Sequence, residues 1–134
     1  MKSLFAVTGV FEMLAGLGFV IAPSLSSKLL FDSSLQDMGQ TNVVRVLGLA
    51  LLALGIAFWR ARNDVQSPAA HGLGIAMFVY NTGVAVLVVA SAVGWRVTAP
   101  ALWPVFGIHA GLAIWCGSSL RTAAALKQRP TVNR

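Results

Sequence analysis

The sequence predicts an all-α integral membrane protein: a four-helix bundle with a short amphipathic external segment between helices 1 and 2. Three observations predict it. The 134 residues are 57% hydrophobic before 13 glycines are added, and only 10% are charged, against about 25% in a soluble domain. A chain this short exposes much of its surface when it folds alone, and four acids with ten bases do not cover that surface. The charges also fall mostly at the ends of long apolar runs. An ordinary soluble domain and intrinsic disorder are both excluded by these figures.

The first apolar run, Leu4 to Ala22, is interrupted only by Glu12. Lys2 before it and the small residues near Ala22 and Ser24 also suit a secretory signal peptide, but the central acid and the length of the run favour a retained helix. Pro23 then stops the helix. In the PSLSSKLLF that follows, Leu25, Leu29 and Leu30 recur at helical spacing, which suits a short helix along the outer membrane face or an apolar loop packed over helix ends. A second span follows from VVRVLGLALLALGIAFW, residues 43 to 59, with Arg45 near its start. Thirty-one residues without Asp, Glu, Lys or Arg separate Asp64 from Arg96, and twenty-four separate Arg96 from Arg121. Each stretch is long enough for one crossing and too short for two. The expected spans are about 3–22, 43–60, 71–94 and 101–120, in one domain covering residues 1–134.

Orientation follows from the bases in the connections. Lys2, Arg60, Arg62, Arg121, Lys127, Arg129 and Arg134 fall on one side, and Lys28, Arg45 and Arg96 on the other. This asymmetry places both termini in the cytoplasm and accounts for most of the net charge of +6. With no basic helix and no aromatic ladder, the charge points to lipid headgroups and not to nucleic acid.

Polar side chains within spans carry the functional information, because the helix itself satisfies the backbone there. Glu12, Asn81 and His109 occupy the centres of spans one, three and four, at one depth. Arg45 lies about 10 Å from the middle of span two, within reach of Glu12 or of the headgroups. A charge at mid-bilayer costs about 2.5 to 3.5 kcal/mol on insertion scales. Glu12 is therefore expected to be neutral, or paired with Arg45 or a protonated His109. Its helix face carries Thr8, Ala15, Gly16 and Phe19, a small and partly polar surface suited to helix packing. Gly107 and Gly111 form a GxxxG contact motif. His109 points almost opposite to them, with Cys116 on the histidine side. Glu12, Arg45, Asn81 and His109 are thus candidates for ligand binding or proton handling, and the same residues suit hydrogen bonds that fix helix packing.

No catalytic residue and no metal site are expected. One cysteine and two histidines at different depths do not make a ligand set, and Cys116 alone makes neither a disulfide nor a CxxC pair. The GLG at Gly72 to Gly74 lacks the rest of a dinucleotide motif, and there is no nucleophile elbow or P-loop. Trp59, Trp95 and Trp103 stand at span ends, as an interfacial aromatic belt requires.

From Thr8 to Arg62 the chain resembles small four-span bacterial membrane proteins of the DoxX-like kind. The likeness rests on the glycine-rich first helix, the AP at Ala22 and Pro23, the LLF at Leu29 to Phe31, and RVLGLALLALGIAFWRAR from Arg45 to Arg62. The resemblance implies a bacterial cytoplasmic membrane. Since some members resemble quinone-linked subunits of sulfur-oxidising oxidoreductases, it also implies quinone as the cofactor to consider. The group's basic, histidine-containing segment near the first helix is not found here, so no functional residue is carried over. The leading expectation is a non-enzymatic membrane protein that binds a hydrophobic small molecule or a partner subunit through the mid-membrane polar cluster. Its alternatives are an accessory subunit of a quinone-linked oxidoreductase and a small proton-coupled transporter. The lipid bilayer is the expected environment, and a second copy or a membrane enzyme the expected kind of protein partner.

Overall fold

The computed structural model describes residues 1–127, which form five helices: α1 (Lys2–Ile21), α2 (Pro23–Phe31), α3 (Met38–Ala61), α4 (Pro68–Gly94) and α5 (Leu102–Lys127). Arg129 and Arg134 of the basic tail lie outside the described residues. Among the described residues α1, α3 and α4 are long and apolar enough to cross a membrane. Large apolar side chains such as Leu14, Ile21, Val43, Val79 and Val93 are exposed along them. This is the architecture of a helical membrane protein, in which lipid covers surface that water would not.

Helix ends follow local chemistry and not only hydropathy. α3 begins at Met38, before the apolar run, because Asp37 caps it: its Oδ1 accepts from the Gln40 N–H at 2.8 Å. Ser67 caps α4 in the same way, accepting from the Ala70 N–H at 3.2 Å, with Pro68 in the first turn where its missing N–H costs nothing. Ala22, held out of the helical region by the following proline, separates α1 from α2. The backbone turns back at Asp32 in the left-handed conformation (φ 50°), which aspartate tolerates better than most residues. α3 ends with the Arg62 guanidinium 3.6 Å above the Trp59 ring, also donating to the Trp59 carbonyl.

α1 packs along α3 and α4 along α5. The α1–α3 contact is built on two glycine pairs, Gly9 with Gly55 and Gly16 with Gly48. A Cβ on Gly9 would lie 2.9 Å from the Gly55 carbonyl oxygen, and one on Gly16 would lie 2.6 Å from that of Gly48. Both helices space their glycines seven residues apart and run antiparallel, so the two pairs fall two turns apart on one seam and let the backbones touch. Gly16 thus lies where α1 and α3 approach most closely. Gly107 and Gly111 do not pack within the chain: both are exposed, and a Cβ on either would meet nothing within 4 Å. The buried histidine side of α5 faces the bundle, which turns the glycine side outward.

Apolar burial is concentrated towards the end of the bundle where α1 begins and α3 leads into α4. There Leu4, Phe5, Phe58, Ala70, Met77, Leu112 and Cys116 form one cluster. The Phe5 and Phe58 rings are 5.7 Å apart, and the Cys116 thiol donates to the Gly74 carbonyl at 3.1 Å.

Candidate ligand-binding site

The other half of the bundle is hollow. A cavity of about 330 Å³ extends from the middle of the helices to α2, bounded by Phe11, Glu12 and Phe19 of α1, Leu47 and Leu51 of α3, and Tyr80 to Ser91 of α4, with Val105 and His109 of α5. Leu30 and Phe31 cover its α2 end, and the Ala101 N–H donates to the Leu29 carbonyl at 3.0 Å, tying α2 to the approach to α5. Leu47 (43% exposed) and Leu87 (60%) line the cavity and also face outward. The mouth therefore opens sideways between α3 and α4, beside Phe31 of α2.

Polar groups gather at the inner end of the cavity. Asn81 donates its amide to the Met77 carbonyl at 2.9 Å, one turn back on α4. That fixes the amide so that its Oδ1 faces the His109 Nδ1, 2.7 Å away. A carbonyl oxygen only accepts, so Nδ1 carries the proton and Nε2 of the neutral ring is an acceptor left to the cavity. Phe11 and Tyr80 present edge-on rings to the imidazole at 5.8 and 5.6 Å and hold its plane.

Glu12 lies in the same wall, fully buried, and neither carboxyl oxygen has a hydrogen-bond partner among the described residues. The Tyr80 hydroxyl stands beside the carboxyl but outside hydrogen-bonding geometry. Thr8, one turn earlier on α1, is also fully buried with its hydroxyl unpartnered. An unpartnered buried polar group costs about 1 to 3 kcal/mol. Here two successive turns of one helix face carry such groups.

Of the four candidates, the structure brings together Glu12, Asn81 and His109 and leaves Arg45 out. Arg45 is exposed on α3 and makes no bond to the Glu12 carboxyl, so that pairing is not formed. The guanidinium lies near the α2 end of α3, where it can reach the headgroups. Nor does His109 pair with Glu12: its Nδ1 faces Asn81, and neither Glu12 oxygen has a hydrogen-bond partner among the described residues. Sequence reasoning missed Tyr80, although it is the one tyrosine of the chain and neighbours Asn81 at mid-span. Among the described residues no three His, Cys, Asp or Glu side chains group closely enough to hold a metal ion.

Comparison with known protein families, with curated proteins and with solved structures finds no match for the chain.

Proposed function

We propose that this protein binds a hydrophobic small molecule in the cavity between its helices, with Glu12, Tyr80 and His109 meeting the polar part of the ligand and Asn81 orienting the imidazole. One observation carries the reading. A carboxyl with no partner lies in the wall of a cavity that opens towards lipid, where a structural role for the residue would have provided it with donors. The volume is at the lower end of small-molecule sites, roughly 300 to 1,000 Å³. It suits a ring or compact headgroup with a tail leaving through the mouth.

In this reading α5 is the fourth crossing, supported by its length of 26 residues and its packing along α4. α2 lies at the outer membrane face, supported by the outward Leu25, Leu29 and Phe31. The majority of the bases then lies in the cytoplasm with both termini, in the orientation that the charge asymmetry favours. A cysteine introduced at Ser33 should react with a membrane-impermeant maleimide added to intact cells, and one at Arg62 should not. The reverse pattern would invert the topology.

A membrane subunit of a quinone-linked oxidoreductase is the second reading, favoured by a carboxyl, a phenol and an imidazole standing together in a site open to the bilayer. The ring carbonyls of a quinone would meet Glu12 and Tyr80, and a bound quinone would supply the electron-accepting chemistry.

Native mass spectrometry of protein released gently from membranes tests the leading reading. A lipophilic adduct should accompany the wild type and be lost when Leu51→Trp or Val88→Trp fills the cavity. An adduct retained by both variants would contradict the site.

A further inference from the structure

We infer that the ligand is an uncharged lipid-soluble hydroxyl compound, an alcohol or phenol, whose oxygen donates to the His109 Nε2 and accepts from Glu12 or Tyr80. The inference rests on the ligand site proposed above and follows from the hydrogen-bonding capacity left at the inner end of the cavity. Asn81 Oδ1 holds the proton of the imidazole on Nδ1, so Nε2 of the neutral ring asks for a donor. Beside it, the Tyr80 hydroxyl and the uncharged form of the Glu12 carboxyl each offer a donor. One oxygen atom carrying one proton satisfies both needs. A ketone or ether satisfies only the donors and leaves Nε2 unpaired.

Charge decides between the remaining classes. Among the described residues no lysine or arginine lines the cavity, so a carboxylate or phosphate ligand finds no counter-charge from them there. An ammonium group would find Glu12, but it must pass a mouth flanked by Leu47, Leu87 and Phe31 and apolar walls beyond, where an uncompensated charge is costly. The polar groups also lie at the deep end of the cavity and the apolar mouth nearer α2. A ligand therefore enters polar end first, the opposite of a phospholipid with its headgroup at the surface, and a small uncharged hydroxyl suits that path.

Photolabelling in lipid nanodiscs tests this directly. The probes are a sixteen-carbon alcohol bearing a diazirine, its methyl ether and the matching primary amine, with labelling of the cavity residues Leu51 and Val88 normalised to that of lipid-exposed Val79. The alcohol should label the cavity about tenfold more than the ether, as expected for one to two net hydrogen bonds. His109→Phe should bring that ratio close to one. Glu12→Leu, which preserves side-chain bulk, should lower it as well and serves if His109→Phe does not fold. Equal labelling by alcohol and ether, a preference for the amine, or a ratio unmoved by either variant would overturn the hydroxyl class while leaving the site in place. Labelling by none of the three probes would overturn the ligand-site reading itself.

Discussion

His109 shows how one amide can set the chemistry of a site. Because Asn81 is itself fixed by the Met77 carbonyl, its oxygen holds the imidazole proton on Nδ1 and turns the Nε2 lone pair to the cavity. In nitrogen NMR spectra of labelled protein, the wild-type ring should appear as the Nδ1–H tautomer, and Asn81→Leu should shift it towards Nε2–H or a mixture. An unchanged tautomer would contradict the positioning role of Asn81. The depth of Glu12, Asn81 and His109 was legible in the sequence because each sits at the centre of an apolar run whose limits the charges mark. Their pairing was not: depth alone does not choose between Glu12–His109 and Asn81–His109. Rotation of each helix about its axis separates them, and packing against the other helices sets that rotation. Tyr80 escaped notice for a related reason. A mid-span aromatic satisfies apolar packing without its hydroxyl, so only the fold reveals that the hydroxyl stands beside the Glu12 carboxyl.

At the scale of the elements, the glycines divide into those that form an interface and those that face outward. Gly16→Ala should destabilise the protein by about 1 to 3 kcal/mol, the usual range for overpacking, because the added methyl meets backbone on α3 at 2.6 and 2.7 Å. Gly107→Ala and Gly111→Ala should be neutral or stabilise by up to about 1 kcal/mol through helix propensity. Thermal unfolding in detergent measures all three, and a loss at Gly107 matching that at Gly16 would contradict the packing described here. Existence and order of long apolar helices follow from runs of apolar residues, which is why α1, α3 and α4, the three long and apolar enough to cross a membrane among the described residues, stand where such runs do. Their starts do not, since Asp37 and Ser67 extend α3 and α4 beyond the apolar runs through capping. The GxxxG of α5 illustrates the limit of a local motif. Its spacing permits close contact but does not provide a partner, while Gly9 and Gly16 find one in Gly48 and Gly55 through matched spacing on an antiparallel helix.

Across the whole molecule, the apolar cluster and the cavity are segregated along the bundle. One half is sealed by the apolar cluster around Phe5 and Phe58. The other half forgoes that packing for a cavity with a sideways mouth, and a buried carboxyl without a partner stands at the boundary between them. Such an arrangement sacrifices stability unless a ligand repays it, and this sets the two interpretations of Glu12 apart. The most direct measurement is the unfolding midpoint of ligand-free Glu12→Leu beside that of ligand-free wild type, in the same detergent. A binding site predicts that the substitution raises the midpoint, removing a penalty of about 1 to 3 kcal/mol. A lowered midpoint would show that Glu12 holds the helices together and would contradict its assignment to a ligand.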